Sequence, residues 1–116
     1  MGTTSEPEPD LAAVKGPARR YMRYHPRPQD IGLLIEVADT SLDEDRDYKG
    51  PLYALADIPL YWIVNLVNRQ IEVYSQPRGG RSPGYQRRVD YREADQVPLI
   101  IAGRKLKLIT VRDLLP

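Results

Sequence analysis

Apolar residues along this chain gather in short, dense blocks, and the block lengths suit strands better than helices. Ile31–Ala38 (Ile-Gly-Leu-Leu-Ile-Glu-Val-Ala) and residues 60–67 (Leu-Tyr-Trp-Ile-Val-Asn-Leu-Val) are nearly continuous apolar runs, as expected of strands buried on both faces. Residues 10–14 form a shorter run, closed by Gly16-Pro17. Residues 70–75 alternate instead, predicting Ile71 and Val73 inward and Glu72 and Tyr74 outward, with Asn68-Arg69 as the turn of a hairpin. Further strands are predicted over 85–91, 97–101 and 105–109, the last two joined around Gly103, followed by a helical turn at 111–115.

Only one stretch reads as a helix of any length, about 42–57. Ser41 is a suitable N-cap with Glu44 at the capping-box position, and Asp43, Glu44 and Asp45 favour the positive helix end. Tyr48, Leu52 and Leu55 would form its apolar stripe. Pro51 lies inside it and should kink or interrupt it, because a proline ring clashes with the carbonyl one turn back. A strand–helix–strand unit over 31–67 predicts an α/β domain with one parallel strand pair.

Composition narrows the chemistry. The 116 residues suit one domain, and residues 1–9, with alternating Glu-Pro, read as a flexible tail. No apolar run approaches the ~20 residues of a membrane span, and the acidic, proline-rich start is unlike a signal or transit peptide. The expectation is a cytoplasmic domain without membrane association. With no Cys and one His, His25, thiol chemistry, disulfides and histidine-rich metal sites are excluded. Catalysis would have to use carboxylates, Lys, Arg, Tyr and Ser or Thr. A formal net charge of +1 hides segregation. Lys15, Arg19, Arg20, Arg23 and Arg27 precede an acidic stretch holding Glu36, Asp39, Asp43, Glu44, Asp45 and Asp47 against Arg46 alone. Basic residues return over 69–92. Such a pattern suits a metal centre beside a phosphate-contacting rim, or simply a solvated mixed surface.

Glu36 stands out, because a carboxylate inside an apolar strand must be paired or bound to a metal. Strand ends at a βα crossover are where α/β folds place ligands. A buried salt bridge serves Glu36 equally well. Asp10 offers a second carboxylate at a strand start, and two carboxylates from neighbouring strands suit Mg²⁺. Lys49 lies one helical turn beyond Asp45, where an ordinary i,i+4 ion pair accounts for it. Alternatively, its ammonium could stand at a metal site to stabilise a phosphoryl transition state.

The ordered segments Glu8-Pro9-Asp10-Leu11, Leu34-Ile35-Glu36-Val37-Ala38-Asp39-Thr40-Ser41-Leu42, Asp45-x-x-x-Lys49-x-x-x-Tyr53-Ala54 and Ile58-Pro59-x-Tyr61-Trp62-Ile63-Val64-Asn65 resemble the Uma-two family. These are bacterial proteins assigned as endonucleases of the restriction-endonuclease-like PD-(D/E)xK superfamily. The resemblance implies a mixed β-sheet flanked by helices, with a C-terminal β-hairpin extension, in one nuclease-like domain over 1–116. It implies a Mg²⁺- or Mn²⁺-dependent DNA endonuclease in which Asp10 is the PD aspartate and Glu36 the acidic residue of the (D/E)xK strand. The usual strand lysine is replaced by Ala38, and Lys49 on the following helix takes its part. The backbone carbonyl of Val37 would be a further ligand, Asp45 and Tyr53 supporting residues (Tyr53 equally a packing residue), and Arg19, Arg20 and Arg23 phosphate contacts. Family members carry a leading helix and strand ahead of the PD strand, where only nine residues precede Asp10 here, so a truncated, impaired remnant serving as a dimerisation or nucleic-acid-binding module is the competing expectation. Exposed apolar residues predict a homodimer.

Overall fold

The computed structural model describes residues 9–16, 18–22 and 25–116, apart from the side chains of Ala18 and Arg19. The tail expected over residues 1–9 therefore lies, except for Pro9, outside the described residues. Strands β1 (Leu11–Val14), β2 (Ile31–Ala38), β3 (Leu60–Asn65), β4 (Gln70–Arg78) and β5 (Gly84–Arg92) form one sheet in that order. The β1–β2, β3–β4 and β4–β5 pairs are antiparallel, while β2 and β3 are parallel. Strands β6 (Gln96–Ile101) and β7 (Arg104–Thr110) form a separate hairpin, followed by a 3₁₀ turn over Val111–Leu114. The α/β class, the parallel pair and the C-terminal hairpin match the sequence reading.

Both faces of the sheet are covered, which explains the unbroken apolar runs of β2 and β3. Alternation along β3 divides the core. Trp62 and Val64 join Leu33, Ile71, Val97 and Val111 beneath the C-terminal hairpin and turn. Tyr61 and Ile63 join Leu34, Ala38, Tyr53 and Ile58 beneath the crossover helix. Gly32 allows the hairpin to approach β2, since a Cβ there would stand 3.0 Å from Ile101 Cγ2.

The crossover departs from the predicted continuous helix. It consists of a short α1 (Leu42–Glu44), a π turn over Asp45–Lys49, and α2 (Gly50–Leu55). The Gly50 N–H bonds to the Asp45 carbonyl, five residues back. Pro51 has no N–H to continue the α-type ladder, and the turn before it widens. The extra residue rotates everything downstream. Tyr48 and Leu55 of the predicted stripe become exposed, and Gly50, Tyr53 and Ala54 face the core instead. The predicted capping box is absent too: Ser41 makes no cap hydrogen bond and donates its hydroxyl to Asp45 Oδ2 at 3.0 Å.

Four tyrosines fill the helix-side core. Tyr61 packs edge-on against Tyr53 at 5.0 Å between ring centroids, and against Tyr74 and Tyr85 at 5.7 and 6.0 Å. Each hydroxyl has an acceptor: Glu36 Oε2 for Tyr53, the Asp45 carbonyl for Tyr61, Glu72 Oε1 for Tyr74 and the Ile58 carbonyl for Tyr85. Burial, reinforced by nearby carboxylates, pushes all four phenols above their ordinary value of 10. A raised folded value means stability is intact below about pH 10 and is lost as pH rises further. In a spectrophotometric titration these four phenolates should therefore appear together with alkaline unfolding. Complete tyrosine ionisation in a protein still folded by circular dichroism would contradict the arrangement.

Candidate active site

Two buried carboxylates on the helix side of the sheet organise the site. Register aligns Glu36 of β2, Ile63 of β3, Glu72 of β4 and Asp90 of β5 in one row. Directly opposed residues share a sheet face, so Glu36 and Glu72 both point toward the crossover. The sequence alternation wrongly sent Glu72 outward; it is fully buried. Its strand has the crossover on one face and the hairpin-side core on the other, so neither parity of β4 faces water there.

Around Glu36 the predicted residues come together. Glu36 Oε1 accepts the Asp10 N–H at 3.1 Å, and Oε2 accepts the Tyr53 hydroxyl at 2.9 Å. Lys49 Nζ stands 3.2 Å from Glu36 Oε2 and 3.2 Å from Asp45 Oδ1. Lys49 thus makes both the ordinary i,i+4 pair and a contact with the strand carboxylate. Its contact with Asp45 Oδ1 is an ion-pair approach without hydrogen-bond alignment, and that buried oxygen has no hydrogen-bond donor among the described residues. Asp10 is exposed, and its Oδ2 accepts the Val37 N–H at 2.7 Å. Burial works against the Lys49 charge, but pairing with the Asp45 and Glu36 carboxylates outweighs it and raises its pKa. Lys49 is therefore a fixed cation at neutral pH, and Tyr53, held protonated, is a donor to Glu36 rather than a base.

The second centre escaped the sequence reading. Arg46 Nε bonds to Glu72 Oε1 at 2.9 Å, and the Arg46 guanidinium also pairs with Oε2. Tyr74 donates to Oε1 at 2.7 Å, and Asn65 and Gln70 donate to Oε2 at 2.8 and 3.0 Å. Arg88 approaches Oε2 at 3.3 Å. Burial raises the Glu72 pKa, but the Arg46 guanidinium, the Tyr74 hydroxyl and the two amides prevail and hold it at about 2. The available signal was Arg46, the lone base within the acidic stretch.

Of the predicted phosphate contacts, Arg23 and the Arg19 side chain lie outside the described residues, and Arg20 stands 3.4 Å from the buried Asp30. An open apolar cleft of about 680 Å³ runs beside the site along Pro28, Leu34, Leu52 and Ile58, but shares only Tyr53 with the charged cluster. Among the described residues no group of three or more Asp, Glu, His or Cys forms a metal cage. Two carboxylates nevertheless suffice for Mg²⁺, which keeps several waters. Glu36 and Asp45 face one ammonium, and Asp10 adjoins Glu36 through its N–H, so the donor chemistry of the two strand carboxylates fits a divalent cation.

The model of the family Uma2, described as "Putative restriction endonuclease", matches residues 1–109. The chain belongs to the Uma2 family. No curated protein matches it. Among the described residues, no helix is long and apolar enough to cross a membrane. In this Uma2 protein, the match spans both β2 and the π turn, the elements that bring Glu36 and Lys49 together.

A depressed folded pKa makes Glu72 stabilising above its ordinary value of 4.5, with the contribution lost as pH falls toward about 2. Thermal melts should therefore drop over this acid range more steeply in the parent than in Glu72→Gln. Parallel pH profiles for the two would remove Glu72 as a source of acid lability.

Proposed function

We propose that this Uma2 protein is a divalent-metal-dependent endonuclease that hydrolyses phosphodiester bonds of DNA. The observation that carries the reading is the Lys49 ammonium, held against Glu36 at the edge where Asp10 meets β2. Asp10 and Glu36 would hold Mg²⁺ or Mn²⁺. The Val37 amide N–H faces Asp10, and strand geometry directs the carbonyl of the same residue to that edge. Bound there, the cation supplies charge neutralisation and a more acidic water.

The chain's own residues account for the remaining work. Lys49 presents positive charge where the non-bridging phosphate oxygens gain negative charge in the transition state. Tyr53 and the Asp10 N–H each bond one oxygen of Glu36, fixing that carboxylate in a single orientation. Asp45 holds Lys49 from the other side, so the ammonium does not collapse wholly onto Glu36. Water adds to phosphorus and loses a proton to solvent, the bond from phosphorus to the leaving sugar oxygen breaks, and the leaving oxygen takes a proton from solvent.

Plasmid relaxation tests the reading. The parent should nick supercoiled DNA with Mg²⁺ or Mn²⁺ and stop with chelator. Lys49→Met, which keeps an apolar stem, should lower the rate roughly a hundredfold. Mn²⁺ should raise the parent's thermal stability by about 2.7 kcal/mol at one hundred times Kd. Glu36→Gln and Asp10→Asn should abolish that gain. Cleavage that survives chelator, or a Mn²⁺ gain unchanged in both carboxylate variants, would overturn the assignment.

A further inference from the structure

The Arg46–Glu72 centre touches none of the groups proposed to meet metal or phosphate, yet it is built more completely than the Lys49 cluster. Every oxygen of Glu72 is engaged, and the carboxylate is fully buried. Stability alone is a weak reason for such a centre, since apolar residues of similar volume often replace a buried ion pair at no loss. Its place in the chain gives a better reason. Arg46 follows Asp45 directly and precedes Lys49 by three residues, within the single π turn that delivers both. A two-point guanidinium–carboxylate fork fixes angle as well as distance. Tyr61, donating to the Asp45 carbonyl at 3.0 Å, holds the same turn from below.

We propose that Arg46 and Glu72 are a positioning pair: Glu72 is a post fixed in the sheet, and Arg46 registers the π turn on it so that Lys49 stands over Glu36. The catalytic consequence rests on the nuclease reading. The placement of Lys49 does not, and can be measured without cleavage.

The test compares the parent with Glu72→Gln, which keeps the side chain's shape, and with Arg46→Lys, which keeps the charge but loses the fork. Val97→Ala, in the core on the opposite sheet face, serves as a control for lost stability. Two quantities are read in each folded variant: kcat and KM on DNA, and the acylation rate of Lys49 by an acetylating reagent. Peptide mass spectrometry scores Lys49 against the exposed Lys105 and Lys107. Release of the turn should raise Lys49 acylation about tenfold and lower kcat about a hundredfold, as expected of a shift near 1 Å. KM should stay within about threefold, because neither residue contacts substrate. Val97→Ala should leave both quantities at parent values. Lys49 as protected in Glu72→Gln and Arg46→Lys as in the parent, or equally released in Val97→Ala, would overturn the proposal. Should Glu72→Gln not fold, Arg46→Lys decides alone. Should the parent cleave no DNA, the nuclease reading falls and the acylation rates still decide where Lys49 is held.

Discussion

Two carboxylates buried on one face of a sheet, on the strands either side of β3, impose the constraint that shapes the rest of this molecule. Neither Glu36 nor Glu72 can be left uncompensated, because an isolated ionised carboxylate in an apolar interior is prohibitively costly. One turn of the crossover supplies a cation to each, with Lys49 reaching Glu36 and Arg46 reaching Glu72, which Arg88 of β5 approaches as well. A regular helix across this stretch would have aligned Tyr48, Leu52 and Leu55 with the core. The widened turn replaces that apolar stripe by a charged contact followed by Tyr53 and Ala54. The irregularity caused by Pro51 is thus what lets one short segment neutralise two strands.

The aromatic composition follows from the same constraint. The chain has 8 Tyr and no Phe. On the helix side of the sheet, four tyrosine rings supply the apolar packing that phenylalanines would supply as well. What they add is a hydroxyl, and buried tyrosine hydroxyls find partners. Two of these bond the buried carboxylates and a third bonds the π turn. Packing and electrostatics are therefore not separate layers here, since the side chains that fill the core also orient its charges.

Much of the fold was legible because its strands are covered on both faces, which leaves long apolar runs that no helix pattern imitates. The parallel pair followed from the helix between β2 and β3, and Glu36 was conspicuous as a lone charge in such a run. Asp10, Lys49, Asp45 and Tyr53 were named in advance and do gather near Glu36, although their gathering fits a structural ion-pair network as well as chemistry. The misreadings share a cause. Glu72 was sent outward, and the helical stripe was phased one residue off, because period-2 and period-3.6 patterns assume regular elements with one wet face. Strand β4 has no wet face at Glu72, and the π turn shifts the period. Ser41 likewise had an acidic partner four residues on that competes with its cap role.

Carrying the cation on a helix rather than on β2 has a mechanical consequence. Position 38, two residues beyond Glu36 on the same face, is occupied by Ala38, fully buried under the crossover. A lysine there would be held by the sheet ladder itself, whose hydrogen bonds fix each residue on both sides. Lys49 reaches Glu36 from outside the sheet, so its placement is only as good as the attachment of its turn. A π turn is a poor rigid support, since its wide ring packs and bonds less regularly than an α-helix. Such a turn needs external anchors, and two independent ones bear on it: the Tyr61 hydroxyl on the Asp45 carbonyl and the Glu72 carboxylate on Arg46. Moving a cation off the strand thus transfers the demand for precision from backbone pairing to side-chain posts. The density of donors around Glu72, which pairs with neither Lys49 nor Glu36, is intelligible on that basis.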